Sequence, residues 1–460
     1  MQDDQLPTWM PRLTVHGGPR FLQIANALQT AVAQGLLKPG DRLPAQRWLA
    51  AQLRVDLTTI TRAYDEAKRR HLLEGHGARG TYVAAPKVAL TSVLDLSMNT
   101  PPPPDGVDFD DLLRQGLLQV LRSSDTAMLM TYHLGGGSDL DRNAGAQWLK
   151  PMFGTLDLEQ VVVCPGAQAS IAALLLAMSK PGDTIIAEPT CYPGLRSSAM
   201  GLGRHIVTVP ADAHGMQPDL LEQACHQHQP ALIYLNPTLQ NPTAITMPAQ
   251  RRQALAGVAQ RCGVRIIEDD PYWLLAESPP PPIAAFAPEH VYYISTLSKC
   301  LTPGLRVAFV LIRDPQERER FLGAMRSFTQ MVAPLNAALA TQWIMDGSAY
   351  TLMEGVRQEA RQRHWMAREI LAGRYTGAGD GLHIWLPLPS YWTPLQLAHA
   401  ADRDGIAVAP AQAFTTDSTP VNAIRLSLGN TKDRERLRAG LHKLSALLAQ
   451  QPEGFNRAVV

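Results

Sequence analysis

The sequence predicts an α/β chain: a parallel or mixed sheet covered on both faces, a smaller α+β lobe after it, and a basic helical segment before it. Three observations predict this. Strand-length apolar runs (VVVCPG, TIIAEP, HIVTVPA, ALIYLNP, RIIEDDP, VYYISTL, VAFVLI) recur between helix-length stretches from Val161 to Ile312, the pattern of strands buried on both faces. Beyond about residue 341, a long charged helix is followed by short strands (GLHIWLPL, IAVAPA, AIRLSLG) and a closing helix. The third observation is a charge asymmetry. Residues 1–87 hold 12 Lys and Arg against 7 Asp and Glu; the whole chain holds 42 against 41, so the remainder carries 30 against 34.

At 460 residues the chain exceeds the size at which one hydrophobic core stops growing, so two or three domains are expected. The basic first segment suits a polyanion partner; on charge alone it equally suits a solvated face. Cys164, Cys191, Cys225, Cys262 and Cys300 are odd in number and form no Cys-x-x-Cys, which fits a reducing compartment rather than disulfides or a zinc site. The histidines show no ligand spacing, so no metal is expected. MQDDQLPTWM has no apolar h-region, and no run of about 18 residues is apolar enough to span a bilayer. A soluble, cytoplasmic protein is expected, with no membrane partner.

Within the basic segment, GPRFLQIANALQTAVAQGL sets Phe21, Ile24, Leu28, Val32 and Leu36 at spacings of three and four, one apolar helical face. KPGDRLP breaks it. AQRWLAAQL reads as a second short helix, and the turn RVD leads to a third, LTTITRAYDEAKRRHLL. That helix buries Ile60, Tyr64 and Ala67, turning Thr58, Thr59, Arg62, Lys68 and Arg69 outward; Asp56 stands where it can cap it. EGHGARGTYVA reads as two short strands around a glycine-rich, basic turn. Two helices, a turn, a third helix and a hairpin make a winged helix-turn-helix, with the third helix as groove reader. This domain is expected over residues 1–83 and a linker over 84–94. The larger domain follows over 95–460, entering through an extended Pro101–Pro104 stretch, its small lobe from about 341 to 460.

Sites in open α/β sheets gather at the carboxyl ends of strands. Gly166, Ala167 and Gln168 follow VVVCP and open a helix, whose N–H groups and dipole make an anion seat. Tyr192 follows TIIAEP, Asn241 follows ALIYLNP, and Asp269 and Tyr272 follow RII. Thr296, Ser298, Lys299 and Arg306 follow or flank VYYI. The inventory is a phosphate seat, a lysine, a carboxylate, phenol and amide donors, and an aromatic ring. Pyridoxal 5′-phosphate requires nearly that list: lysine forms the Schiff base, and a carboxylate keeps the pyridine nitrogen protonated.

These motifs stand in the order and spacing of the fold-type I, aspartate-aminotransferase-like pyridoxal phosphate proteins, which residues from about 95 to 450 resemble. QNPTA is similar to the family's Asn-Pro-Thr-Gly, with Ala244 in place of the glycine. EDDPY is similar to its Asp-x-x-Tyr, and SKCLTPGLR to its Ser-Lys followed by Pro-Gly-x-Arg. The resemblance implies Lys299 as the aldimine lysine, Asp269 at the pyridine nitrogen, Tyr272 and Asn241 at the phenolic oxygen, and Tyr192 stacked on the ring. It implies the backbone of Ala167 and Gln168 at the phosphate, with Thr296, Ser298 and Arg306. It also implies Tyr132 reaching the phosphate of a neighbouring subunit, and Arg425 clamping a carboxylate bidentately. Tyr132 and Tyr192 are also readable as core aromatics, and Cys164 and Cys300 as small apolar fillers.

Residues 18–83 resemble the GntR-type winged helix domain, in KPGDRLP and in the wing from Gly75 to Thr81. The resemblance implies that Arg47, Thr58, Thr59, Arg62, Arg79 and Thr81 meet phosphates or base edges of double-stranded DNA. Asp56-Leu57 replaces the Ser-Arg usual before the reader helix, so one groove-reading arginine is absent. A GntR-like domain fused to a fold-type I domain is the arrangement of the MocR-type regulators. It implies a homodimer on a DNA operator that senses an amine, an amino acid or the cofactor itself through the lysine aldimine. An aminotransferase with an accessory N-terminal domain, or a cofactor reservoir, fits the same residues.

Overall fold

The computed structural model describes residues 9–11, 13–14, 18–70, 72–75, 80–84, 93–133, 135–377, 379–417 and 421–451. The chain divides into two units, Met1–Ser92 and Val93–Val460.

The first unit holds α1 (Arg20–Ala33), α2 (Gln46–Leu53) and α3 (Leu57–Arg69), then β1 (Leu73–Gly75) and β2 (Thr81–Val83). The two strands are antiparallel, Leu73 opposite Val83. Ile24 and Leu28 of α1, Leu49 of α2, Ile60 and Tyr64 of α3 and Val83 of β2 share one core, as apolar side chains three and four apart on each helix require. The expectation that Asp56 caps α3 is corrected. It occupies the N-cap position in extended backbone, but its side chain accepts no bond there. The residue is exposed, so solvation competes with the cap for its carboxylate.

The second unit opens with β3 (Leu94–Asp95), followed by α4 (Phe109–Ser123), α5 (Thr126–Leu129) and α6 (Asp139–Phe153). Ser138 and Asp141 start α6 with a reciprocal capping box. Next come β4 (Val161–Cys164), α7 (Ala167–Met178), β5 (Thr184–Ala187), α8 (Pro193–Gly201) and β6 (His205–Thr208). After the small hairpin of β7 (Ala211–Asp212) and β8 (Gly215–Met216) run α9 (Pro218–His228), β9 (Leu232–Leu235), α10 (Ala249–Cys262) and β10 (Arg265–Asp269). The sheet is completed by α11 (Ile283–Phe286), β11 (Val291–Thr296), α12 (Leu297–Cys300) and β12 (Ala308–Leu311).

Its order is β4-β12-β11-β10-β9-β5-β6, with β12 antiparallel to both neighbours and the other pairs parallel. The stretch from Thr296 to Ala308 is too short for a helical crossover, so the chain can only return antiparallel. The pleat sends alternate residues to opposite faces. Ile266 joins one core with Ile233 and Tyr293, and Ile267 joins the other with Leu232 and Ile294.

Three helices follow: α13 (Pro315–Arg326), α14 (Pro334–Met345) and α15 (Ser348–Ile370). Of these, α15 serves two cores: Leu352 and Val356 pack into the large one, Met366 and Ala367 into the small one. The remaining elements are β13 (His383–Pro387), α16 (Pro394–Arg403), β14 (Ile406–Ala407), β15 (Ala409–Pro410), β16 (Ala423–Ser427) and α17 (Arg434–Ala449). Three of the strands form a sheet of order β13-β16-β15. Beside it, β14 pairs in parallel with β3, Ile406 opposite Leu94, so the small lobe takes in the first strand of the unit.

Candidate functional site

Lys299 lies in α12, on the short return between β11 and β12. Its amine donates to the main-chain carbonyl of Asn99. Burial, and next the Arg425 cation, lower its pKa to about 8, against the pull of Asp269. Asp269 ends β10 beside β9, whose Tyr234 donates to Asp269 Oδ2 at 2.7 Å. Asn236, just past β9, donates to the Asp269 carbonyl at 2.5 Å and accepts from the Asn241 amide at 2.7 Å. Asp269 Oδ1 is buried with no partner among the described residues. Burial raises this carboxyl to about 6, which Tyr234 and Lys299 oppose. A buried carboxylate with one free oxygen is a receptor for a protonated group.

The small lobe supplies the opposite wall. Arg425 of β16 donates to Asn241 Oδ1 at 2.7 Å and to the Ser97 carbonyl, and its guanidinium lies 4.7 Å from the centre of the Phe414 ring. Asn99 Nδ2 donates to Tyr272 Oη at 2.8 Å and to His383 Nδ1 at 3.2 Å. His383 Nε2 donates in turn to the Gln240 carbonyl at 3.1 Å. Burial and the Arg425 charge push His383 down to about 3, so it stays neutral and keeps this tautomer. Tyr192 is half-buried at the start of α8, where burial and Asp269 raise its phenol and Arg306 and Arg425 lower it.

An anion seat adjoins the lysine. Gly166 precedes α7 with φ +95, and a Cβ there would come within 2.6 Å of the Arg306 guanidinium. Only glycine lets this arginine approach the helix start. Arg306 also donates to the Pro165 carbonyl at 3.4 Å. The Thr296 hydroxyl caps α12, 3.3 Å from the Ser298 amide, and donates to Ser298 Oγ at 3.1 Å. Ala167 and Gln168 form the first turn of α7. The Gln168 side chain turns away, donating to Gly194 O at 3.0 Å and Ser198 Oγ at 2.8 Å.

Lys299, Asp269, Tyr272, Asn241, Tyr192 and Arg425 are thus brought together, with Thr296, Ser298, Arg306 and the α7 start beside them. Tyr132 is 71% exposed and stands outside this hydrogen-bonded group. In the first unit Arg47, Thr58 and Arg62 are exposed, while Thr59 and Thr81 are half-buried. Arg62 covers the Phe21 ring at 4.6 Å. Arg79 lies outside the described residues.

Four members of the cluster escape sequence reading: Asn99, His383, Tyr234 and Asn236. Asn236, at the carboxyl end of a strand, carries a positional signal. Asn99 and His383 carry none, since the partners of Asn99 lie 173 and 284 residues away.

Ala244 has φ +57, the left-handed region in which a Cβ costs roughly 1–2 kcal/mol. This is the position where the resemblance expects glycine. Ala244→Gly should therefore raise the unfolding free energy by about 0.5–1 kcal/mol after the entropy cost of glycine. Urea denaturation measures it, and a loss of stability would count against the strain.

The profile of aminotransferase class I and II matches residues 91–444, and that of the gntR family of bacterial regulatory proteins matches residues 21–83. YdeF of Bacillus subtilis, an uncharacterized HTH-type transcriptional regulator, is 30% identical over 453 residues, 96% of this chain and 97% of its own. PtsJ of Salmonella typhimurium, a vitamin B6 salvage pathway transcriptional repressor, is 29% identical over 92% of this chain and 97% of its own. The structure of LysN, the α-aminoadipate aminotransferase of Thermus thermophilus complexed with N-(5′-phosphopyridoxyl)-L-leucine, superposes with a TM-score of 0.71. It is 24% identical and covers 78% of this chain and 92% of its own. A sheet with one reversed strand, a lysine on that reversal and a facing carboxylate is thus joined to a gntR-type domain, and the chain belongs to the aminotransferase class I and II family, whose cofactor is pyridoxal 5′-phosphate, in the MocR-type arrangement of helix-turn-helix transcriptional regulators.

Proposed function

We propose that the protein is a cytoplasmic, homodimeric transcriptional regulator that binds pyridoxal 5′-phosphate, grips a double-stranded DNA operator, and responds to a small amine or amino acid. The observation that carries the reading is the pairing, in one chain, of this lysine pocket with a gntR-type domain.

The pocket fits the cofactor. The free Asp269 Oδ1 matches a protonated pyridine nitrogen. The space that a side chain at Gly166 would fill beside Arg306 matches a phosphate. Bound there, the cofactor supplies an electrophilic carbon for amines and a ring that withdraws electrons. Asp269 would hold the ring nitrogen, Asn241 and Tyr272 the phenolic oxygen, and Tyr192 the ring face. Ala167, Gln168, Thr296, Ser298 and Arg306 would hold the phosphate, with Tyr132 of a second copy. Lys299, held near pH 8 by burial and Arg425, presents a neutral amine far more often than a solvated lysine. An entering amine competes with it, and Arg425 takes the entrant's carboxylate.

A ligand can move the protein between two conformations only by binding them unequally, and an amino acid joining Lys299 of α12 to Arg425 of β16 would favour the conformation that brings these two together. Support for the homodimer is a set of exposed apolar side chains beside a cavity. Met128, Met130, Leu140 and Met345 are all exposed, and a cavity of about 580 Å³ opens among Met128, His133, Met331 and Met345. Arg47, Thr58, Thr59, Arg62, Arg79 and Thr81 would form the DNA face.

Electrophoretic shift with DNA from upstream of the gene tests this directly. Retention should fall by orders of magnitude between about 50 and 200 mM salt, and Arg62→Ala should weaken it. Absence of retention at low salt would sink the regulator reading. The second reading, an aminotransferase, is favoured by the intact set of Lys299, Asp269 and Arg425; sustained keto-acid production from amino donors would promote it.

A further inference from the structure

On α9, Glu222, Cys225 and His226 stand three and four residues apart, on one helical face. Cys262 is the last residue of the neighbouring α10. One ligand atom from each of Glu222, His226 and Cys262 lies within 4.8 Å of the others, and among the described residues no other such grouping of His, Cys, Asp and Glu occurs. Cys225 is buried on α9 one residue before His226, and its thiol interacts electrostatically with that of Cys262. Arg261 grips the Glu222 carboxylate with two bonds of 2.8 and 3.0 Å. None of these residues belongs to the cofactor pocket.

We infer that Glu222, Cys225, His226 and Cys262 form a binding site for a zinc ion. Two thiolates, an imidazole and a carboxylate make a tetrahedral ligand set for Zn²⁺, a borderline-soft ion. Zinc–ligand bonds of about 2.0–2.3 Å place ligand atoms about 3.3–3.8 Å apart. His226 is exposed and Cys262 and Glu222 are half-buried, so their side chains have room to close from separations within 4.8 Å, with the buried Cys225 drawn in from outside that grouping. Two thiolates and one carboxylate bring three negative charges; the ion and Arg261 together bring three positive ones. Arg261 also holds the ligating carboxylate, the outer support that metal sites require. His226 at the surface leaves an entry path, and Cys225 closes the site from within.

The location has a consequence for the pocket. The two helices lead directly into β9 and β10, the strands that carry Tyr234 and Asp269. An ion shared by both helices ties together the two crossovers beneath the pocket's carboxylate. The histidine and cysteine spacings hide this site because Cys262 comes from a second helix.

The test uses the full-length, cofactor-loaded protein, freed of metal by dialysis against chelator. Zn²⁺ is titrated in competition with a chromophoric chelator, and Co²⁺ is followed by its visible ligand-field bands. The wild type should bind one Zn²⁺ per chain, give the intense bands of tetrahedral thiolate-bound Co²⁺, and protect Cys262 from alkylation. Removing an outer support costs metal sites about 10–100-fold in affinity; Arg261→Ala should fall in that range, and His226→Ala and Cys262→Ser should each exceed it. Because Cys225→Ser is buried and risks the fold, His226→Ala is the decisive variant. It should keep cofactor absorbance and DNA retention while losing the metal. Zinc uptake that survives both His226→Ala and Cys262→Ser, or wild-type protein that takes up none, overturns the site.

Discussion

Replacing Lys299 by alanine should abolish the visible absorption of lysine-bound pyridoxal phosphate and let the cofactor be removed by dialysis. The rest of the pocket keeps its holding groups in this variant: Asp269, Tyr272, Asn241 and the seat around Arg306. Cofactor should therefore still associate, but without the covalent link that only a primary amine at this position provides. The wild type adds a pH signature. Attack on the cofactor requires the neutral amine, and burial together with Arg425 places Lys299 at about 8 rather than the usual lysine value of about 10.4. Capture of cofactor by the cofactor-free protein should thus accelerate as pH rises through about 8 and level off above it. A rate still climbing steeply well above that pH, or an alanine variant with an unchanged band, would refute the assignment of Lys299.

Glu359→Ala should cost roughly 3–5 kcal/mol of stability, the range for stranding a buried charge. Glu359 of α15 is buried, accepts Arg363 Nε at 2.6 Å, and accepts Arg434 Nε at 3.1 and 2.9 Å. Arg363 is fully buried and ties the helix to the chain after β16 by donating to the Leu428 carbonyl at 2.7 Å. Without the carboxylate, a guanidinium remains in the interior with its charge uncompensated. Burial works against ionisation of Glu359, yet the bonds from Arg434 and Arg363 hold its pKa below the usual value. A lowered carboxyl pKa stabilises the fold above the unfolded value of about 4.3, and that contribution is lost as pH falls through the folded value. The variant should therefore differ most from wild type near neutrality and converge with it in acid. Urea denaturation followed by far-ultraviolet circular dichroism reports the loss; a change under about 1 kcal/mol would show the pair to be dispensable.

What the sequence makes legible is the part written in local periodicity and strand ends. The apolar runs from Val161 to Ile312 become the strands of one seven-stranded sheet, and Lys299, Asp269, Tyr272, Asn241 and Arg425 converge although they are far apart in the chain. For the first four, convergence follows because parallel strands bring their carboxyl ends to one edge; Arg425 arrives from β16 of the small lobe. The invisible part depends on register and on distant packing. Tyr234 reaches Asp269 only because β9 lies beside β10 in that register. Asn99 joins the pocket because β3 pairs with β14 of the small lobe. Asp56 has the right residue type in the right place for a cap, yet makes no such bond, because side-chain direction is set by surroundings that a local motif does not contain.

The carbonyls of Ser97 and Asn99 rest on the two cations of the pocket, Arg425 and Lys299. The stretch just after β3 therefore acts as an internal competitor for any ligand. A neutral acceptor that takes Arg425 exchanges one carbonyl for another and gains little. A carboxylate gains the difference between a neutral and a charge-assisted hydrogen bond, roughly twofold in strength. The displaced Ser97 carbonyl must then find water or a new donor, at a cost of about 1–3 kcal/mol if it stays buried and unpaired. Ordinary main chain thus makes the Arg425 contact selective for a charged acceptor over a neutral one.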